Sequence, residues 1–225
     1  QVTLNNSGDI LSSGTAFTGG DGADTVINTG TITGALILGD RADTFDTRGG
    51  VYSDSVYGGN GGDTYYVGAN SFDVVEFESG TGIDRLYSDI SYALRAGTEE
   101  LYLTEAGGNI NGSGSYDNNA ITGNMGNNIL SGELGNDTLI GGVGDDTLIG
   151  GHDDDQLEGG QGGDYMRGGT GNDTLSYLTS EGWVNVSLLT GFVGGGQNSH
   201  ALGDSFDGIE NLSGSFEGDR LNGDH

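Results

Sequence analysis

The chain of 225 residues contains no cysteine, no proline and only six basic side chains. Without cysteine there is no disulfide framework and no thiolate metal site. Six Lys and Arg against 34 Asp and Glu leave a formal charge of −28. Such a surface repels phosphate, which excludes nucleic acid as a partner. Hydrophobic residues make up 32% of the chain, too few for a large conventional core. No apolar run approaches the ~18–20 residues of a membrane span. The start at Gln1-Val2-Thr3-Leu4 has neither the basic nor the apolar region of a secretory signal. A chain beginning with Gln and not Met is expected to be a processed product or an excised fragment.

Catalytic signatures are missing too. There is no H-E-x-x-H and no G-x-S-x-G. The histidines are His152, His200 and His225, and none sits in a nucleophile or metal pattern. Acidic pairs are too frequent to single out a glycosidase pair. No enzyme activity, catalytic residue or organic cofactor is expected.

What is abundant is glycine, 48 residues. It does not recur every third position, so collagen is excluded. High charge with low hydrophobicity favours disorder unless a cation neutralises the chain. Periodicity decides between the two. Residues 114–176 divide without insertion into GSYDNNAIT, GNMGNNILS, GELGNDTLI, GGVGDDTLI, GGHDDDQLE, GGQGGDYMR and GGTGNDTLS. The consensus is G-G-x-G-x-D-x-U-x, with U a large apolar residue. The sixth positions are Asn119, Asn128, Asp137, Asp146, Asp155, Asp164 and Asp173. The eighth are Ile121, Leu130, Leu139, Leu148, Leu157, Met166 and Leu175. Full copies recur at 19–27 and 58–66, placing Asp24 and Asp63 at position six. Degenerate copies place Asp43 and Asp219 there.

This unit resembles the nonapeptide of the RTX (haemolysin-type) calcium-binding repeat family. The resemblance implies an all-β fold, a parallel β-roll or β-solenoid with calcium bound between stacked turns. It also implies type I secretion as an unfolded chain, followed by folding outside the cell. The metal ligands it implies are the sixth-position side chains Asp24, Asp43, Asp63, Asp137, Asp146, Asp155, Asp164, Asp173 and Asp219, with Asn119 and Asn128. The turn glycines Gly20, Gly22, Gly59, Gly61, Gly135, Gly142, Gly144, Gly151, Gly160, Gly162, Gly169 and Gly171 complete the set.

The physics supports such sites independently. Glycine opens backbone angles that let carbonyl oxygens turn inward, and aspartate adds a hard anionic oxygen. Calcium takes six to eight oxygens at about 2.3–2.6 Å. Coils stack about 4.8 Å apart, so residues i and i+18 become neighbours: Asp137 with Asp155, Asp146 with Asp164, Asp155 with Asp173. Two carboxylates about 5 Å apart repel by roughly 3 kcal/mol at an effective dielectric of 20. A divalent ion between them reverses the sign, which makes metal binding part of the folding free energy. Arg41 and Asp153 stand at glycine positions, which sets the Asp43 and Asp155 turns apart. Leu139, Leu157 and Leu175 are expected to form one inward ladder, and Leu130, Leu148 and Met166 the facing one.

Four regions are expected. Residues 1–66 form N-terminal β-solenoid coils of roughly 19–22 residues with sparse calcium turns. There, Asn6-Ser7-Gly8-Asp9-Ile10 is echoed at 28–32 and more weakly at 47–51. Residues 67–113 form a β-rich spacer with strands at 73–78, 85–94 and 99–104. Its Tyr87, Tyr92 and Tyr102 suggest either strand packing or a sugar platform. Residues 114–176 form the regular β-roll. Residues 177–225 supply capping strands and the start of a further repeat. In this last region Trp183–Leu188 alternates like a half-buried strand, Trp183 caps or widens the solenoid, and Gly194-Gly195-Gly196 makes a flexible turn. Asp204, Asp207 and Glu210 are further ligand candidates.

The function expected is a non-enzymatic, secreted, calcium-binding structural module of a bacterial cell surface, such as an adhesin, surface layer or filament. The alternative is an accessory region of a secreted protease, lipase or polysaccharide epimerase. Partners expected are calcium, then other copies end to end or a surface polysaccharide. An ice-binding array is disfavoured, because the repeat itself explains the recurring Asp-Thr pairs.

Overall fold

The computed structural model describes residues 1–69 and 82–223. The strand expected at 73–78 and the residue His225 lie outside the described residues. The chain is all-β and winds as a parallel β-solenoid. It divides into two units, Gln1–Ile90 with Leu94–Tyr102, and Ser91–Ala93 with Leu103–His225.

In the first unit one sheet carries Thr3–Asn6, Thr25–Asn28, Thr44–Asp46, Thr64–Val67 and Arg85–Ser88, all parallel. Thr3 lies beside Thr25, Thr25 beside Thr44, Thr44 beside Thr64 and Thr64 beside Arg85. The opposite wall holds Asp9–Gly20, Thr31–Asp40, Val51–Tyr52 and Val56–Asn60. Alternation along the strands sends Val26, Phe45, Tyr65 and Leu86 inward from one wall and Ile32, Leu36, Tyr52 and Val56 from the other. Phe45 meets Tyr52 edge to face at 5.1 Å, joining the two columns. The sequence echo also has a role. Asn6 Nδ2 donates to Asn28 Oδ1 at 2.9 Å, and Asn28 Nδ2 to Thr47 Oγ1 at 3.3 Å, so the echoed residues stack at one corner.

On the outside of this unit Tyr66, Tyr87 and Tyr102 form a stacked column, with centroids 5.0 and 4.9 Å apart. Arg48 lies over Tyr66 at 4.4 Å. The trio expected from the sequence is corrected here: Tyr66 joins the column, and Tyr92 belongs to the strand Tyr92–Ala93 of the other unit. The rings present their faces to one another, which favours strand packing over a sugar platform.

The second unit repeats every 18 residues. Ala120–Thr122, Thr138–Val143, Gln156–Gln161 and Thr174–Ser176 make one wall. Gly112–Ser113, Ile129–Glu133, Thr147–His152 and Tyr165–Thr170 make the other. Ile121, Leu139, Leu157 and Leu175 stack in register, as do Leu130, Leu148 and Met166, all with no exposure. The period then lengthens, since Tyr165 pairs with Ser205 and Thr174 with Asn211. The intervening segment is pinned by Glu158. This buried carboxylate accepts from Ser176 Oγ at 3.0 Å, from Thr179 N at 3.1 Å and from the Thr179 hydroxyl.

Two expectations for this segment are corrected. Gly194 and Gly195 belong to the strand Phe192–Gly195, antiparallel to Val184–Ser187, and make no turn. A Cβ at Gly195 would collide with the Ser199 hydroxyl, and one at Gly196 with the Trp183 indole, so the glycines serve close packing. Trp183 is 45% exposed and covers Gly196 in place of capping the core.

Candidate metal centre

The sixth-position side chains form columns at the turns, and the aspartates among them reach one coil back. Oδ1 of Asp155 accepts the Asp137 N–H at 2.8 Å, and Oδ1 of Asp173 that of Asp155 at 2.9 Å. On the other wall Asp146 accepts from Asn128 at 2.7 Å and Asp164 from Asp146 at 2.9 Å. Asp137 accepts from Asn119 at 2.7 Å. In the first unit Asp43 accepts from Asp24 at 2.6 Å and Asp63 from Asp43 at 2.7 Å. The i, i+18 neighbours read from the sequence are thus in contact.

The columns extend past the residues the repeat identifies. Asp84 accepts from Asp63 N at 2.6 Å, and Glu99 from Asp84 N at 2.8 Å. Asp204 accepts from Asp164 N and Glu210 from Asp173 N, both at 2.9 Å. Asp207 does not join; it lies exposed in the strand Ser205–Asp207. Asp219 accepts from Val184 N and Ser215 Oγ, both at 2.8 Å.

A second ladder, at the fifth position, runs the opposite way. Asn118 Oδ1 accepts from Asn136 N at 2.8 Å, Asn136 from Asp154 N at 3.1 Å, and Asp154 from Asn172 N at 2.8 Å. Asn127 and Asp145 act alike on the other wall. Each coil is therefore tied both backward and forward. The signal was present in the sequence as Asn or Asp recurring at position five, which the consensus had written as x.

Most turn glycines named from the sequence take the left-handed backbone that the loop requires. Gly59, Gly61, Gly135, Gly142, Gly144, Gly151, Gly160, Gly162, Gly169 and Gly171 have φ between +99° and +150°. Gly20 and Gly22 do not share it. Arg41 and Asp153 adopt φ of +78° and +70°, so the glycine conformation survives both substitutions. The first-position glycines, omitted from the expected ligand set, face the centre of the turn. A Cβ on Gly132 would collide with Asp137 Oδ2 and the Gly150 carbonyl oxygen. Gly150 stands likewise to Asp155 and Gly168, and Gly168 to Asp173 and Gly208.

With Oδ1 bonded, the second carboxylate oxygen remains. Oδ2 of Asp43, Asp63, Asp137, Asp146, Asp155, Asp164 and Asp173 is buried with no hydrogen-bond partner among the described residues. These seven residues are at most 3% exposed. Buried polar atoms are nearly always partnered, so the same unpartnered oxygen in seven turns calls for a ligand. Burial, opposed by the backbone N–H and reinforced by neighbouring carboxylates, pushes Asp63 and Asp137 up to about 7. It pushes Asp146 and Asp155 to about 6. At Asp137, Asp146, Asp155 and Asp173 the orphaned oxygen and a backbone carbonyl oxygen of the next coil both face the first-position glycine, an all-oxygen set that fits a hard divalent cation. Among the described residues no three Asp, Glu or His side chains gather at one point. Between stacked carboxylates the backbone N–H of one residue occupies Oδ1 of the next, so Oδ2 is the oxygen that remains for an ion.

A parallel solenoid with buried carboxylate columns at its turns defines a cation-binding β-roll. The RTX calcium-binding nonapeptide repeat model matches the chain in four copies, over residues 39–71, 112–139 and 140–175. The chain carries RTX repeats, and RTX nonapeptide repeats bind multiple Ca²⁺ ions. No curated protein matches the chain in a sequence search. RTX repeat proteins are typically secreted, and among the described residues no helix is long and apolar enough to cross a membrane.

Proposed function

We propose that this chain is a non-enzymatic structural module of a secreted protein, which folds when it meets calcium outside the cell. The observation that carries the reading is the set of seven buried, unpartnered carboxylate oxygens in register with the coils. Asp43, Asp63, Asp137, Asp146, Asp155, Asp164 and Asp173 hold the ions, together with carbonyls of the turns. Calcium supplies positive charge and coordination where the chain offers neither. The polypeptide supplies the register: Oδ1 fixes each carboxylate against the previous coil, and the leucine ladders set the coil spacing.

Two apolar side chains per 18-residue coil make a thin core, and ordering each residue costs about 1–2 kcal/mol. Uncompensated carboxylates add repulsion. A chain that stays extended where calcium is scarce and closes where it is plentiful suits export before folding. The test is a calcium titration followed by circular dichroism and hydrodynamic radius. Strand signal should rise as the radius falls, with magnesium far less effective because of its strict octahedral demand. A strand content and melting point unchanged by chelator would overturn the proposal.

A further inference from the structure

The turns are of two kinds, and the difference lies at the second position of the repeat. Among the described residues that residue has positive φ in seven turns: Gly39, Gly59, Glu133, Gly142, Gly151, Gly160 and Gly169. The sixth-position partners of these seven are Asp43, Asp63, Asp137, Asp146, Asp155, Asp164 and Asp173, the same set whose Oδ2 is orphaned. The correspondence is one to one. It includes Glu133, which holds φ of +78° although it is not glycine.

Besides the Ser215 turn, where the Ser215 hydroxyl donates to Asp219 Oδ1 at 2.8 Å, three turns among the described residues lack that conformation, those with Gly20, Ser115 and Asn124 at the second position. In each the second-position N–H turns inward and donates to the sixth-position side chain. Gly20 N reaches Asp24 Oδ2 at 3.1 Å, Ser115 N reaches Asn119 Oδ1 at 2.7 Å, and Asn124 N reaches Asn128 Oδ1 at 2.9 Å. At Asn128 the amide is also used, donating to the Ile110 carbonyl at 2.6 Å and to Asn124 Oδ1 at 3.1 Å. The backbone thus fills the place that the seven other turns leave open.

We infer that the second-position backbone decides which turns take an ion. The seven open turns are the calcium sites. The turns of Asp24, Asn119 and Asn128 are closed by their own N–H groups and hold none. The assignment reverses the sequence ranking: Asp24 lies in a full GGDGAD copy and takes no ion, whereas Asp43, in the degenerate LGDRAD copy, takes one. It rests on the calcium reading above and adds to it which turns bind.

The experiment is a count of bound calcium per chain, by native mass spectrometry and equilibrium dialysis. The samples are the full chain and its Asp24→Asn, Asp43→Asn and Asn128→Asp variants. Asp43→Asn should lose one ion, and Asp24→Asn should keep the parent count. Asn128→Asp should gain none, since its turn remains closed. Hydrogen exchange at the Gly20 amide of the parent chain, expected to be slow with and without calcium because Asp24 Oδ2 accepts it, gives a readout independent of ion number. Loss of an ion in Asp24→Asn, or a gain in Asn128→Asp, overturns the inference and leaves the calcium reading standing. A parent chain that retains no calcium overturns both.

Discussion

The Asp137 N–H donates to Oδ1 of Asp155 at 2.8 Å across one coil, while Oδ2 of the same Asp155 is buried and unpartnered. One oxygen is structural and the other is available, so the two functions of this side chain separate by substitution. Asp155→Asn can keep the acceptor for Asp137 and removes the charge. Its expected outcome is one fewer bound ion and a higher calcium midpoint, with the coil register intact. Asp155→Ala loses both oxygens and leaves the buried Asp137 N–H without its partner. It should cost about 1–3 kcal/mol of stability in saturating calcium. Thermal melts of the calcium-loaded variants separate the two cases.

Gly150 tests the convergence of oxygens directly. A methyl group there would collide with Asp155 Oδ2 and the Gly168 carbonyl oxygen. Gly150→Ala should therefore raise the calcium midpoint as Asp155→Asn does, and cost about 1–3 kcal/mol through overpacking. Gly163→Ala is the control, because its nearest contact would be the Gly203 carbonyl oxygen at 3.4 Å. Calcium titrations of the two variants by circular dichroism should differ clearly.

Much of this architecture was legible in the nine-residue register. The spacing of Leu139, Leu157 and Leu175, and of Asp137, Asp155 and Asp173, specified which residues would stack. Strict periodicity makes one coil predict the next. Legibility ended where register lengthened. Asp204 and Glu210 enter the columns 40 and 37 residues after Asp164 and Asp173, a jump no period foretells. Both were named as ligand candidates from their acidic character alone, whereas Asp84 and Glu99 were missed. The closed Asp24 turn was unreadable in principle, because its motif is intact and only the Gly20 backbone distinguishes it. Gly194, Gly195 and Gly196 misled in the other direction: consecutive glycines suggest a turn, but the missing side chains of Gly195 and Gly196 admit Ser199 and Trp183.

The tyrosine column predicts a local stability effect in the first unit. Tyr87 stacks on Tyr66 on one side and on Tyr102 on the other, with interplanar angles of 15°. Such pairs contribute about 0.5–1.5 kcal/mol each beyond buried area. Tyr87→Ala should lower stability by about 1–3 kcal/mol and abolish the near-ultraviolet dichroism of the stack. Tyr92→Ala, outside the column, should leave that dichroism in place. An oligosaccharide that quenched the column's fluorescence in the parent chain would contradict the packing role.

Acid should partly replace calcium. In the metal-free fold, burial first and neighbouring carboxylates second raise Asp63 and Asp137 to about 7, and Asp146, Asp155 and Asp164 to about 6. In the unfolded chain the same groups titrate near 3.9. A folded value above the unfolded one means that the native state binds protons more tightly. Its contribution to stability is complete below about pH 4 and is lost as pH rises through 6 to 7. Calcium-stripped protein should therefore gain strand signal between pH 8 and pH 5. With calcium bound the slope reverses, because the ion requires the ionised carboxylate and protons compete with it. Melting temperatures measured from pH 5 to 8, with and without calcium, should give curves of opposite slope. Parallel curves would mean that these carboxylates do not couple metal binding to folding.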